Sequence, residues 1–546
     1  MRRLFLFMIF SFSLFILWSE WKHQNQPIAP PQGETGISKD LSVPVATAKV
    51  AEQTATSTTP AETQKTPAGT KIVVTTDIFR AEINTAGGNI QHLDLLQHKD
   101  AIDKSKPLTL FEKQGNKIYV AQSGLLGNGL PTHNAEFSVA ENEYKLIEGK
   151  DTIEIRLTAL DTPQARVTKV YTFHRDSYLV DVAYEIENLG SAPISPSAYF
   201  QLVRDSSPAE GASRFVPTFT GPAIYTEQEK FKKIQFSDIE KNKVKLPQNP
   251  DNGWIGMLQH YFVSAWLPTA KGPREFYTKK LEGNEYSAGV ILPVATIDPG
   301  KTGRISATLY AGPAQTKLDD IAPGLGLSVD YGWLTIFSTP LFWLMSHIDN
   351  WVHNWGVSII LLTVLIKLIF FPLSAASYRS MAKMRLVAPK LEKIKQQYGD
   401  DREKLNHAMM DLYKTEKINP LGGCLPMVIQ IPVFIALYWA ILSSVELRHA
   451  PFFGWITDLS AADPYYVLPL IMGISMLVQS KLNPLPPDPM QAKLMQIMPI
   501  VFSVVFFFFP SGLVLYSVVN NILSIAQQWY ITRGQAGKNK GADKHR

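Results

Sequence analysis

The sequence predicts a multi-domain protein in which an α-helical membrane core is joined to a large all-β domain. Two observations lead to this fold class. Polar sequence with short alternating segments extends to about residue 330, and several long apolar runs follow it. Such runs are typical of helices that cross a bilayer, whereas apolar residues at every second position are typical of half-buried strands. A chain of 546 residues is also long enough for about two to four domains.

Residues 1–22 are predicted to form an uncleaved signal anchor. Two arginines precede the apolar stretch from Leu4 to Trp18, and no small-x-small cleavage site follows it. Residues 23–70 are rich in Pro, Thr, Ala and Gln and poor in large apolar side chains, so they cannot bury enough surface to offset chain entropy. We expect a flexible linker there. The only cysteine, Cys424, excludes an intramolecular disulfide.

Residues 71–325 are predicted to form an all-β sandwich. Short alternating segments recur there between clusters of Gly, Pro, Asn and Asp. The clearest pair is 166–174 and 178–188, which only three residues separate, as in a β-hairpin.

The β region carries no motif that indicates an enzyme. The triplet 300–302, Gly-Lys-Thr, leads into a strand rather than a helix, so a turn is favoured over a phosphate-binding loop. His92, His174 and His260 stand singly, without the spacing of metal ligands. We therefore expect neither catalysis nor a cofactor. A sandwich surface that binds a sugar or a protein partner stays open.

The second half of the chain is predicted to enter the membrane. Residues 331–351 are apolar but interrupted by Pro340, and their many aromatic residues predict an amphipathic helix in the outer interface. Five further apolar runs form the core, which with the N-terminal anchor makes six transmembrane helices. The five core helices are predicted at residues 355–373, 421–442, 465–480, 495–509 and 512–530.

The distribution of charge predicts the orientation in the membrane. The net charge of +5 is modest, so the positions of Lys and Arg matter more than their number. Residues 374–419 hold ten Lys or Arg against six acids, whereas Arg448 is the only cation of residues 444–463. The positive-inside rule then puts 374–419, the tail 531–546 and both termini in the cytoplasm, and the β domain outside.

Residues 374–419 are predicted to form a helical hairpin. Leu391, Ile394 and Tyr398 follow a helical spacing, and Asp400 is expected to cap a second helix with Glu403 completing the capping box. The charged outer face suits RNA, a protein partner or anionic headgroups, although a solvated face is the default for mixed charge. The candidate contact residues of the hairpin and the tail are Arg379, Lys383, Arg385, Arg533, Lys538 and Lys540.

One cation, Lys367, lies within the first core run. A lysine at mid-bilayer costs about 2.5–3.5 kcal/mol on insertion scales, so such a residue usually faces a watery cavity or a partner. The alternative is that Lys367 snorkels to the nearby interface. Thr363 lies four residues earlier on the same helix face, and Gln430 and Tyr516 complete a polar recess if they face the same space. The candidate residues of a substrate groove are Lys367, Thr363, Gln430, Ile431, Phe434 and Tyr516.

Several motifs of this chain, in their order, resemble the YidC membrane protein insertases. They are NPLGGCLP at 419–426, QIP at 430–432, DPYY at 463–466, DPM at 488–490 and FPSGLVLY at 509–516. The likeness covers the whole chain. It implies a periplasmic β-supersandwich, an inner-membrane location, and a positively charged groove that is open to cytoplasm and lipid but closed outside. It also implies insertion and folding of nascent membrane proteins, alone or with the Sec translocon, and contact with ribosomes and signal-recognition components.

The sequence departs from the family at one position. The family usually has an arginine in the groove, and the matching residue here is Lys367. A lysine keeps the positive charge but lacks the five-donor fork of a guanidinium. Two other functions stay open: a secondary transporter with Lys367 as its site, which predicts an inverted repeat that we do not detect, and a membrane-tethered envelope-assembly or sugar-binding protein.

Overall fold

The computed structural model describes most of the chain after the first 68 residues. The described residues are 42–44, 69–101, 103–115, 117–208, 218–399, 401–416, 425–483 and 489–542. The predicted anchor, residues 1–22, and nearly all of the predicted linker, residues 23–70, lie outside them.

The predicted β domain is confirmed. Within the described residues its strands, in chain order, are β1 Lys71–Thr75, β2 Phe79–Asn84, β3 Asn89–Lys99, β4 Pro107–Gln114, β5 Lys117–Leu126, β6 Phe137–Ser138, β7 Glu143–Lys145, β8 Thr152–Ala159, β9 Ala165–His174, β10 Leu179–Asn188, β11 Ser197–Asp205, β12 Gly221–Thr226, β13 Lys230–Lys233, β14 Trp254–Gln259, β15 Phe262–Leu267, β16 Glu275–Lys280, β17 Glu285–Pro293 and β18 Thr302–Pro313.

These strands form two nine-stranded sheets. One has the order β16-β17-β11-β5-β4-β3-β2-β1-β7, and the other has the order β13-β12-β14-β15-β18-β10-β9-β8-β6. Nearly all pairs of neighbours are antiparallel, and β1 with β7 is a parallel pair. The predicted hairpin is β9 with β10, whose register places Val182 opposite Tyr171. Apolar side chains from the inner faces of both sheets pack into one core, which explains the alternation in the sequence.

A lysine lies in the centre of the β domain. Lys169 of β9 is fully buried, and its Nζ donates to the backbone oxygen of Gly88 at 2.7 Å and to those of Gly87 and Ser123 at 3.4 Å. The ammonium also lies 5.3 Å from the ring centre of Tyr171. Removal from water lowers the pKa of Lys169 well below its ordinary value. The amine thus joins carbonyl groups of the first sheet to a strand of the second.

We expect Lys169→Met to destabilise the β domain. The substitution keeps most of the side-chain volume but removes the ammonium donor to the carbonyl groups of Gly87, Gly88 and Ser123. Gly88 still accepts from the Tyr171 hydroxyl at 2.6 Å, and each buried carbonyl that is left unsatisfied costs about 1–3 kcal/mol. Thermal unfolding of the purified protein checks this, with Lys301→Met in an exposed turn as the matched control. Equal unfolding temperatures for the two variants would contradict it.

The remainder of the described chain is mainly helical. In chain order the helices are α1 Phe236–Glu240 within the β domain, then α2 Thr335–Val352, α3 Trp355–Ile369, α4 Phe371–Tyr398, α5 Arg402–Thr415, α6 Leu425–Ser443, α7 Val467–Leu482, α8 Pro489–Val505 and α9 Ser511–Ala542. No described helix is by itself long and apolar enough to cross a membrane, whereas α3 and α4 pass that test together across a bend of 67°.

Two local expectations are wrong. The run 355–373 is not one straight helix: α3 ends at Ile369, and Phe371–Leu373 already belong to α4, which continues into the hairpin. Pro372 at the start of α4 explains the break, since a proline has no N–H for the preceding turn but fits a first turn. The second arm of the hairpin is capped by Asp401 instead of Asp400, and its carboxylate accepts from the N–H groups of Glu403 and Lys404.

Polar contacts fix the β domain to the adjoining helices. The ring Nε2 of His260, between β14 and β15, lies 2.8 Å from the carbonyl oxygen of Leu442 near the end of α6. Lys233 of β13 forms an ion pair with Asp330, whose carbonyl oxygen accepts from the Ser443 hydroxyl at 2.5 Å. The end of α6 is therefore held by the β domain through both backbone and side-chain groups.

The segment after α6 contains a buried acid. Burial raises the pKa of Glu446 to about 7. Between pH 4.5 and about 7 the carboxyl of Glu446 is therefore protonated in the folded protein but mostly ionised in the unfolded chain. The contribution of Glu446 to stability is therefore complete below pH 4.5 and is lost as the pH rises toward 7.

We expect Glu446→Gln to stabilise the protein at pH 8 but not at about pH 3, where Glu446 is protonated in both the folded and the unfolded state. The gain at high pH is on the order of a few kcal/mol, because a tenfold difference in proton affinity between the folded and unfolded states corresponds to about 1.4 kcal/mol. Unfolding temperatures of parent and variant at the two pH values check this. Glu148→Gln makes the same substitution in an exposed loop and is the matched control for the change in unfolding temperature. A pH-independent difference for Glu446→Gln would contradict the prediction.

Candidate functional site around Lys367

Lys367 lies in the last turn of α3 and points toward α9. Its Nζ donates to the hydroxyl of Ser524 at 2.7 Å, and that hydroxyl in turn donates to the carbonyl oxygen of Asn520 at 2.7 Å. Ser524 is 4% exposed. The ammonium is thus held between two helices by a hydroxyl whose own proton is directed away from it.

Gln430 and Tyr516 form the second polar pair. The side-chain amide of Gln430, on α6, donates to the hydroxyl of Tyr516, on α9. Tyr516 is 1% exposed, and the ring of Phe434 packs on it with a centroid distance of 6.4 Å. Three of the predicted groove residues are therefore in direct contact.

Lys367 and Gln430 line one small recess of about 30 Å³, close to the volume of one water molecule. Its wall comes from the end of α3, the start of α4 and the side of α6. The lining residues are Ile366, Lys367, Phe370, Leu373, Ser374, Gln430 and Val433.

Two predicted groove residues lie elsewhere. Thr363 is 1% exposed, and its hydroxyl donates to the carbonyl oxygen of Ile359 one turn earlier, so it offers nothing to the recess. Ile431 is 49% exposed on the outside of α6. Among the described residues, no three His, Cys, Asp or Glu side chains are close enough together to hold a metal ion.

The predicted basic contact residues differ in their surroundings. Arg379 and Lys383 are exposed on α4. Arg385 instead donates to the backbone oxygens of Lys481 and Leu482 at the end of α7, where a cation is favourable. The guanidinium of Arg533 lies 5.1 Å from the ring centre of Trp529. The side chains of Lys538 and Lys540 lie outside the described part of α9.

Sequence reasoning missed Ser524. The signal was available, because Ser524 lies eight residues after Tyr516 and therefore on the same face of α9. Serines within apolar helices can join neighbouring helices or bond to their own backbone. Ser503 does the former, donating to the carbonyl oxygen of Pro469, whereas Ser517 bonds only within its own helix, to Leu513.

Comparisons with known proteins agree with this architecture. The family model for the YidC periplasmic domain matches residues 71–344, and that for the 60Kd inner membrane protein matches residues 347–539. The YidC membrane protein insertase of Nitrosospira multiformis is 53% identical over 100% of this chain and 99% of the relative. That of Methylobacillus flagellatus is 55% identical over 99% of both chains. A crystal structure of an active YidC insertase is 20% identical, with a TM-score of 0.40 over 85% of this chain and 93% of that one.

The matches define the class of the protein, an inner membrane protein with a periplasmic β domain. With identities above 50% over nearly the full length, the chain belongs to the YidC family of membrane protein insertases. The resemblance read from the sequence motifs is confirmed.

We expect Ser524→Ala to release Lys367 from the recess. A hydrogen bond to a charged group contributes about 1.5–3 kcal/mol. Its loss therefore raises the ratio of released to recess-bound Lys367 side chains by roughly tenfold or more. Modification of Lys367 by a water-soluble amine reagent, read by mass spectrometry in reconstituted vesicles, should rise at least severalfold.

Ser517→Ala is the matched control for Ser524→Ala, because its hydroxyl bonds only to Leu513 of the same helix. It should leave the modification of Lys367 unchanged. Equal modification in both variants would contradict a positioning role for Ser524.

Proposed function

We propose that this chain inserts nascent integral membrane proteins into the inner membrane and assists their folding, alone or with the Sec translocon, without enzymatic chemistry. The observation that carries the proposal is the single ammonium of Lys367 beside the Gln430–Tyr516 pair, in a recess between apolar helices. Family membership supports the same function.

The proposed arrangement has six transmembrane helices. The anchor, residues 1–22, precedes five core spans, and residues 374–419, the tail and both termini are cytoplasmic. The β domain is then a periplasmic supersandwich. The excess of Lys and Arg in 374–419 over 444–463 supports this orientation.

In the proposed mechanism a short polar tail of the nascent segment enters the recess from the cytoplasm. Lys367 attracts an acidic group of the tail, and Gln430 and Tyr516 replace part of its water. The apolar part of the segment then passes between the helices into lipid. A volume of about 30 Å³ admits no peptide, so the helices must move apart when the substrate enters.

Transfer of the substrate into lipid supplies the free energy. Each strongly apolar residue contributes roughly 0.3–0.6 kcal/mol on insertion scales, and a span contains about 20 residues. The membrane potential adds about 2.3 kcal/mol per 100 mV for each acid that moves outward. The insertase thus lowers a barrier, and no nucleotide is required.

The exposed basic residues suit partners on the cytoplasmic side. Arg379 and Lys383 on the hairpin and Arg533 in the tail are exposed and are suited to a ribosome or to signal-recognition components. Lys538 and Lys540 add two positive charges to the tail sequence. Arg385 is less suited to bind such a partner, because its guanidinium already donates to the backbone at the end of α7.

Photocrosslinking during translation of a short single-span protein with an acidic tail tests the proposal. Probes at Gln430, which lines the recess, and at Phe434, which packs on Tyr516, should crosslink to the nascent span. Insertion should persist with Lys367→Arg, fall severalfold with Lys367→Gln and fall further with Lys367→Glu, because the charge that attracts the tail is kept, removed and then reversed.

A probe at Ile474, which is 63% exposed on α7, is the control and should give few crosslinks. Insertion equal in all Lys367 variants would reduce the lysine to a snorkelling residue. If Ile474 crosslinks as strongly as Gln430 and Phe434, the recess is not the entry path.

A further inference from the structure

A second and larger cavity, of about 430 Å³, lies where the β domain meets the helical part. One wall comes from the β3–β4 connection, the ends of β5 and β11, and the β14–β15 turn. The other wall comes from the segment that follows α6 and from the corner between α8 and α9. Ligand sites in proteins are typically about 300–1,000 Å³, so this junction cleft is large enough for a small headgroup.

Arg204 occupies the β-domain wall of the junction cleft. It is 5% exposed, and its guanidinium stacks over the ring of Tyr119 at 4.9 Å. Two of its N–H groups donate, to the side chain of Gln259 at 2.7 Å and to the carbonyl oxygen of Ser207 at 3.4 Å. Among the described residues no carboxylate lies within ion-pair distance of it.

Arg448 reaches the cleft from the other side. Its guanidinium lies 6.0 Å from the ring centre of Tyr261 and 5.8 Å from that of Phe262. Tyr261 is two residues from Gln259, the partner of Arg204, so a single turn brings both guanidinium groups to the same cavity. In the described chain Arg448 also has no carboxylate at ion-pair distance.

The two most buried acids of the cleft already have donors. Asp458 accepts from the ring of His449 at 2.9 Å and from the hydroxyl of Ser460 at 2.7 Å, and Lys104 lies 3.9 Å away. Asp205 accepts from the backbone N–H of Ile118 at 2.8 Å. N–H groups of both arginines are therefore left for a ligand, as are two buried lining atoms with no partner among the described residues, the Tyr119 hydroxyl and Nε2 of His449.

The formal charges of the lining nearly cancel. Acids lie at the cleft as well as cations, and Glu112 of β4 is a partly exposed carboxylate to which no described cation is paired within ion-pair distance. A lining with unpaired guanidinium groups and an unpaired carboxylate fits a zwitterion better than an anion. A phosphate would meet the arginines, and an amine would meet the carboxylate.

Apolar lining indicates a lipid rather than a free metabolite. Phe508, in the 3-10 turn that follows α8, lines the cleft and is 64% exposed, and Leu108, Leu110 and Leu442 add aliphatic surface. The end of a helical bundle is the level at which headgroups lie, and exposed aromatic residues are common there. An acyl chain could follow Phe508 while its headgroup occupies the cavity.

We propose that the junction cleft binds the headgroup of a phospholipid of the phosphoethanolamine class, with the phosphate at Arg204 and Arg448 and the amine at Glu112. The lipid then lies between the β domain and the end of α6. The site is independent of Lys367, so it stands or falls apart from the proposed insertase mechanism.

The test uses the full-length protein in a nonionic detergent, titrated with short-chain lipids and followed by native mass spectrometry. Dihexanoyl phosphatidylethanolamine should bind at one site, at least severalfold more tightly than the phosphatidylcholine and phosphatidylglycerol analogues. Arg448→Gln should weaken this binding about tenfold or more, the factor that follows from loss of a charge-assisted hydrogen bond. Glu112→Gln should weaken the binding of the phosphatidylethanolamine but not the binding of the phosphatidylglycerol.

Arg304→Gln is the matched control, because Arg304 is an exposed arginine of the β domain that pairs with Glu185. It should leave binding unchanged. Arg448→Lys, which keeps the charge, should retain part of the affinity and controls for a folding defect. Glu112→Gln, at a partly exposed position, serves the same purpose. Equal binding of all three lipids, or binding that neither Arg448→Gln nor Glu112→Gln changes, would overturn the proposal.

Discussion

The helical part of the molecule depends on one constraint, the cost of keeping the ammonium of Lys367 among apolar helices. A charged group removed from water must be paired or hydrogen-bonded, or it returns to water. Here Ser524 meets part of that need from α9, and the recess beside Gln430 leaves room for about one water molecule. The ammonium of Lys367 can therefore remain between the helices, whereas a fully apolar bundle without polar partners would exclude it.

The β domain and the helices meet through polar groups as well as apolar packing. His260 lies at the carbonyl of Leu442, and Lys233 pairs with Asp330. Both contacts act on the C-terminal end of α6, and Gln430 and Phe434 lie nearer the N-terminal end of the same helix. The β domain thus stabilises one end of a helix whose other part faces the recess, and the junction cleft lies beside this same connection.

Periodic apolar patterns in the sequence predicted most of the strands and helices, whereas the exact helix ends did not follow from these patterns. The β9–β10 hairpin and the apolar helices are periodic features that burial enforces, so they could be read directly. The break at Phe370 and the cap at Asp401 depend on single residues. Adjacent aspartates both suit a cap, and only the geometry of the turn selects one.

The candidate site was predicted in part for a similar reason. Gln430 and Tyr516 were named because polar residues are rare in apolar runs, and the structure brings them together. Thr363 was named by the same rule, but a threonine in a helix can bond to its own backbone, and it does. Ser524 was missed although it lies within the predicted run 512–530, because helix spacing alone does not show which neighbouring helix a side chain meets.

The bend between α3 and α4 connects the hairpin to the recess. Phe370, Leu373 and Ser374 line the recess, and all three lie at or just after the break. From there α4 continues to Tyr398 with Pro389 in its interior, so the first arm of the hairpin and one wall of the recess belong to the same helix. Arg385 fastens that element to the end of α7. A displacement of the part of α4 before Pro389 therefore moves the wall of the recess, which connects the hairpin to the widening that a nascent segment requires.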